Sequence, residues 1–107
     1  MLESLFAPKS VAVIGASRTP GKVGHDILAN LISGGFAGPV VPVNPSADEV
    51  LGLKCYPTLQ QYAQEVELGV IVVPRAHVEN AVRDALDSGC RAIIVISAGF
   101  QETGEEG

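Results

Sequence analysis

The sequence predicts an α/β domain built on a doubly wound parallel sheet, and three observations carry that prediction. Short β-branched apolar runs recur at Ser10–Ile14, Gly38–Val43, Leu68–Val73 and Arg91–Ile96. Stretches of helical apolar spacing lie between them, as parallel crossovers require. The composition is 47% hydrophobic but only 5% aromatic, with no Trp. Val, Ile, Ala, Leu and Gly dominate, which suits strands covered on both faces by helices.

The first strand, S-V-A-V-I, stops at Gly15. From Gly24 to Ser33, Ile27, Leu28, Leu31 and Ile32 recur at helical spacing, and Gly34-Gly35 end the helix. Gly38–Val43 gives a second strand, and Pro42 within it places that strand near an edge or a bulge, because proline donates nothing to a ladder. Leu53–Tyr56 reads as a short third strand. After Pro57, Thr58 is positioned to cap a helix over Leu59–Glu65. Leu68–Val73 is the most apolar strand and halts at Pro74. Val78, Ala81, Val82, Ala85 and Leu86 then form a helical stripe that ends at Gly89, before the last strand, Arg91–Ile96. Right-handed crossovers among these elements predict a Rossmann-like sheet with strand order 3-2-1-4-5, numbered along the chain, in a single domain over residues 1–107.

The chain has 107 residues and a net charge of −5, which disfavours nucleic acid or an anionic membrane as partner, since both are bound through excess Lys and Arg. No apolar run approaches the length of a membrane span and the start lacks the basic region of a secretory signal, so a cytoplasmic location is expected. Cys55 and Cys90 stand far apart without a CxxC pair or clustered His, and they read as reduced thiols, with no metal site. The polar, acidic tail Gln101–Gly107 directly after a strand reads as an interruption, with more chain expected beyond it. Glu105 and Glu106 read as part of a solvated terminus.

In an open parallel sheet, ligands bind beyond the carboxyl ends of the strands where strand order reverses. The segments that reach this edge are the Gly15–Gly24 loop, Asn44-Pro45-Ser46, Pro74-Arg75 and Ser97-Ala98-Gly99-Phe100. Three of the seven basic residues, Arg18, Lys22 and Arg75, lie in them. The loop G-A-S-R-T-P-G-K-V-G joins a strand to a helix, so its backbone amides and the helix N-terminus suit a phosphate, with Arg18 and Lys22 adding charge.

The loop departs from two common phosphate motifs. Five residues separate Gly15 from Gly21 where a P-loop has four, and Val23 stands where the Mg²⁺-ligating hydroxyl would be. Against G-x-G-x-x-G, Ser17 and Pro20 occupy the second and third glycine positions, and Asn44 replaces the carboxylate that would hold a ribose. NAD is thereby second to another nucleotide.

The strings S-V-A-V-I-G-A-S-R-T-P-G-K-V-G, V-P-V-N-P, L-G-L-K-C-Y-P, V-I-V-V-P and V-I-S-A-G-F-Q-E-T-G closely resemble the N-terminal CoA-binding domain of NDP-forming acyl-CoA synthetases, relatives of the succinyl-CoA synthetase alpha subunit. Five blocks in the right order cover nearly the whole chain. The resemblance implies coenzyme A or acyl-CoA as ligand, lying across the strand ends. It implies Ser17, Arg18, Thr19 and Gly21 at the phosphates, within a loop that includes Gly15, Lys22 and Val23, and Asn44 and Pro45 beside the nucleotide. Pro74 closes the neighbouring strand end, and Ser97, Ala98 and Gly99 would follow the pantetheine arm. Many relatives carry a Lys shortly after the N-P pair, where this chain has Ser46 and Ala47.

The resemblance further implies a parent ligase that interconverts acyl-CoA, phosphate and ADP with acid, CoA and ATP through a phosphohistidine in a following domain. Downstream domains or a beta, ATP-grasp subunit are then partners, and the chain alone carries no catalytic residue. His25, at the start of a helix in the phosphate loop, reads as a local or ligand-contact residue, and His77 as exposed. Competing readings are an NAD(H)-binding redox sensor or dehydrogenase segment, the same domain fused to a protein acetyltransferase, and a module that only docks a partner.

Overall fold

A computed structural model describes residues 7–96. Four parallel strands, β1 (Val11–Ile14), β2 (Val40–Val43), β5 (Leu68–Ile71) and β6 (Ala92–Val95), form one sheet in the order β2-β1-β5-β6. A two-stranded hairpin, β3 (Glu49–Val50) and β4 (Leu53–Lys54), stands beside it. Helix α1 (Val23–Ser33) joins β1 to β2, and α2 (Val78–Asp87) joins β5 to β6. Strand order thus reverses between β1 and β5, as the sequence predicts.

β1 and β5 are buried at every position, and their alternating side chains supply two cores. Val11, Val13, Leu68 and Val70 pack with Leu28 of α1, whereas Ala12, Ile14 and Ile71 pack with Ala81 and Ala85 of α2. A Cβ at Gly69 would lie 3.4 Å from that of Ala85, so small residues on both sides bring α2 close to the sheet. The predicted stripe is narrower than expected at its end. Leu86, one position round the helix from Ala85, is 58% exposed, since contact with the sheet is made through Ala81 and Ala85.

Both helices end as the glycines foretell. Phe36 N–H donates to Leu31 O (3.1 Å) and Gly35 N–H to Ile32 O (3.1 Å), with Gly35 at φ +77°. Cys90 N–H donates to Ala85 O (3.1 Å) and Gly89 N–H to Leu86 O (3.1 Å), with Gly89 at φ +92°. Each is a Schellman closure.

Pro42 is accommodated at an edge. Its carbonyl accepts from Tyr56 N–H (3.1 Å) on the side of β2 away from β1. In a parallel strand its missing N–H falls on that same outer side, so the β1 ladder loses nothing.

Two predicted elements differ. Leu53–Tyr56 does not run as a third parallel strand: Leu53 and Lys54 pair back antiparallel onto Glu49–Val50, and Tyr56 alone bridges to Val43. The two-residue turn Leu51-Gly52, with φ +53° and +82°, has both central residues in the positive-φ region that tight hairpins favour. The helix expected over Leu59–Glu65 is a single 3-10 turn, Leu59–Tyr62, which Ala63 ends at φ +65°. Thr58 makes no side-chain cap there. Asp84 of α2 caps it instead, accepting from Leu59 N–H at Oδ2 (2.7 Å) and from Gln60 N–H at Oδ1 (3.2 Å).

Candidate cofactor-binding site

The phosphate-loop candidate begins where β1 ends. Gly15 and Ala16 N–H both donate to Val43 O (2.9 and 3.2 Å), so the chain leaves β1 clamped against β2. Gly15 adopts φ +104°, and a Cβ there would stand 2.0 Å from Val72 O. Gly24 is buried in the first turn of α1, and a Cβ on it would stand 2.1 Å from Gly15 O. Only glycine at both positions lets α1 start this close to the strand end. Gly21 is different: its φ is +95° and nothing lies within 4 Å of where a Cβ would be, so it serves the turn.

Inside the loop, Ser17 Oγ accepts from Thr19 N–H (3.0 Å), Thr19 O accepts from Lys22 N–H (3.2 Å), and Asp26 Oδ1 accepts from Gly21 N–H (3.3 Å). The amides of Ser17 and Arg18 and the α1 amides of Val23, Gly24 and His25 donate no hydrogen bond within the described residues. Lys22 is the N-cap of α1, and its side chain satisfies none of the first-turn amides. Orphan helix donors of this kind suit an anion. Arg18 and Lys22 are exposed, and neither is ion-paired among the described residues. His25 is largely buried, with Nδ1 3.4 Å from Asp26 Oδ1.

Asn44 ties the second strand end to this loop. Its Nδ2 donates to Ala16 O (2.6 Å), its Oδ1 accepts from Ser46 N–H (2.7 Å), and its backbone N–H donates to Tyr56 O (2.9 Å). The side chain that replaces the ribose-binding carboxylate is thus engaged in shaping the loops. Cys55 lies beneath them, its Sγ 3.7 Å from Asn44 O. Burial pushes its thiol above the ordinary value, and the neighbouring backbone of Asn44 and Tyr56 opposes the shift. The Asp48 carboxylate raises it further and the Arg18 guanidinium lowers it.

On the α2 side of the sheet, a cleft of about 640 Å³ opens over the carboxyl ends of β1, β2 and β5. Ile14, Gly15, Val43, Asn44, Pro45, Val72, Val73 and Pro74 form its floor. Pro57, Thr58 and Gln60 form one wall, and His77, Asn80, Ala81, Arg83, Asp84 and Asp87 the other. The cleft therefore unites Gly15, Asn44, Pro45 and Pro74 of the predicted set. Ser17, Arg18, Thr19, Gly21, Lys22 and Val23 do not line it; they form the adjoining loop and helix start. Ser97, Ala98, Gly99 and Phe100 lie outside the described residues. Arg75, in a one-turn 3-10 segment after Pro74, is exposed.

His77 is exposed, as read from sequence, but it also belongs to the cleft wall. The wall of α2 was not anticipated. Its signal was present as polar residues at 77, 80, 84 and 87, one helical face beside the apolar stripe. No helix among the described residues is long and apolar enough to cross a membrane.

The model of the CoA binding domain family matches residues 9–106. An ADP-forming acetate–CoA ligase II of Archaeoglobus fulgidus is 47% identical over 106 residues, which are 99% of this chain and 16% of the relative. The alpha subunit of an ADP-forming acetate–CoA ligase I of Pyrococcus furiosus is 44% identical over 110 residues, 99% of this chain and 24% of the subunit. Among solved structures, a dinucleotide-forming acetyl-coenzyme A synthetase of Ca. Korarchaeum cryptofilum superposes with a TM-score of 0.87 at 46% identity, covering 99% of this chain and 23% of that one. The chain thus spans less than a quarter of each of these relatives. It belongs to the CoA-binding domain family and is homologous to the N-terminal region of ADP-forming acetate–CoA ligases.

Proposed function

We propose that this chain holds coenzyme A at the carboxyl edge of its sheet as the N-terminal domain of an NDP-forming acyl-CoA synthetase, a cytoplasmic acid–thiol ligase. The parent reaction converts acyl-CoA, ADP and phosphate to free acid, CoA and ATP, and the phosphoryl-carrying histidine belongs to a downstream domain or partner subunit. The role of these 107 residues is to bind and orient, with no catalytic group of their own.

The observation that carries the reading is the pairing of two features at the strand-order reversal. A loop offers amides of Ser17, Arg18 and the α1 start, and two cations, that are all unpaired among the described residues, and a cleft floored by Asn44, Pro45 and Pro74 adjoins it. The diphosphate of CoA would sit at the loop, with Ser17, Arg18, Thr19, Gly21, Lys22 and Val23 around it. The adenosine end would enter the cleft beside Asn44 and Pro45, and the pantetheine arm would leave past Ser97, Ala98 and Gly99. NAD is the poorer ligand because the group at the end of β2 is an amide already committed to Ala16 O and Ser46 N–H.

Thermal shift with CoA and NAD in parallel tests the proposal. Ligand at 100 times its dissociation constant stabilises the folded state by about 2.7 kcal/mol, a rise of roughly 10 °C or more for a domain of this size. A shift with CoA and none with NAD is expected. A shift with NAD alone would refute the assignment.

A further inference from the structure

We infer that Asp84 is a positioning residue for ligand binding, which holds the far wall of the cleft in place by capping a turn distant in sequence. This rests on the reading that the cleft receives part of coenzyme A.

The wall that faces α2 is made by Pro57, Thr58 and Gln60. Gln60 belongs to the 3-10 turn Leu59–Tyr62, and Pro57 and Thr58 lead into it. A turn of this length leaves its first amides without partners, and Thr58, the local candidate, caps none of them. The Asp84 carboxylate reaches across from α2 and takes two, Leu59 N–H at 2.7 Å and Gln60 N–H at 3.2 Å, one on each oxygen. Leu59 is fully buried in the α2-side core, so the turn is anchored from below by packing and from the side by this carboxylate. Asp84 also lines the cleft together with Thr58 and Gln60. Its two hydrogen bonds therefore set the width of the cleft at the place where both walls meet.

Asp84 is suited to this because each carboxylate oxygen accepts independently, and hydrogen bonds from neutral donors to a charged acceptor are stronger than neutral pairs. Asn retains a single oxygen and Ala none. The two substitutions therefore remove the clamp in two steps while leaving the helix in place.

The experiment uses the 107-residue chain with Asp84→Ala, Asp84→Asn and Thr58→Ala. Amide exchange at Leu59 and Gln60 is measured alongside calorimetric titration with coenzyme A, at a temperature where circular dichroism shows every variant fully folded. Asp84→Ala is expected to speed exchange at both amides and to weaken CoA binding by about tenfold or more, the loss corresponding to one or two charge-assisted hydrogen bonds. Asp84→Asn should recover part of both effects, and Thr58→Ala should leave the two amides unchanged. Faster exchange with CoA affinity unchanged within twofold would overturn the inference and leave the CoA reading intact. Failure of the unaltered chain to bind CoA would overturn both. Because a folded protein that has lost only stability binds with unchanged affinity, the titration separates positioning from mere structural support.

Discussion

Replacing Gly15 with Ala tests how the β1 end is built. The new methyl would stand 2.0 Å from Val72 O and 2.7 Å from its carbonyl carbon, both backbone atoms of the strand segment beyond β5. Backbone cannot rotate away, so the loop or the strand has to shift, and overpacking of this kind costs about 1–3 kcal/mol. The φ of +104° adds the left-handed penalty of an L residue, about 1–2 kcal/mol. The two together predict a loss of about 2–5 kcal/mol, or roughly 10–30 °C in Tm. Gly21→Ala is the matched control, because its φ is similar at +95° but nothing lies within 4 Å of the added methyl. It should lose only the conformational part, about 1–2 kcal/mol. Urea unfolding of both variants gives the difference directly. Equal losses would refute the reasoning, since the close approach of the strand segment would then contribute nothing.

Other expectations follow from the same contacts. Gly24→Ala should destabilise although Ala favours a helix by about 1 kcal/mol, because its methyl meets Gly15 O at 2.1 Å; a stabilised variant in thermal unfolding would contradict this. Asn44→Ala should cost about 1–3 kcal/mol by removing partners from Ala16 O and Ser46 N–H, read as a lowered urea midpoint with unchanged slope. Burial, with the Asp84 carboxylate adding to it, pushes the Cys90 thiol up to about 11 from its ordinary 9.0. The folded state then favours the neutral thiol, so its contribution is present below pH 9 and lost as pH rises toward 11. Up to about 2–3 kcal/mol of stability should disappear over that window in the native chain and persist in Cys90→Ala; parallel pH profiles would refute it.

Elements made by contiguous patterns were legible in the sequence. β1 and β5 are continuous apolar runs, Gly34-Gly35 and Gly89 close the helices, and the reversal of strand order follows from alternation alone. Pro42 signals an edge or a bulge because a missing donor has few tolerable positions, and the edge is the one adopted. What escaped reading depends on partners far along the chain or on unusual backbone. Leu51 at φ +53° makes a hairpin turn from a residue type that rarely adopts it, which pairs Leu53–Lys54 back onto Glu49–Val50. The turn at Leu59 takes its cap from Asp84, which no local pattern at Thr58 reveals. In the site, the loop and Asn44 were visible through glycine spacing and the missing carboxylate. The α2 wall was obscured because His77, Asn80, Asp84 and Asp87 read individually as ordinary exposed polar residues.

The central claim, that coenzyme A lies across the carboxyl ends of β1, β2 and β5, is tested most directly by mapping backbone amide shifts of the labelled chain during titration with CoA. Shifts concentrated at residues 15–25, 44–46 and 74–84, and abolished by the double reversal Arg18→Glu with Lys22→Glu, are the predicted result. Shifts at the amino ends of the strands, around Ser10, Glu67 and Arg91, or an unaltered response in the double variant, would contradict it.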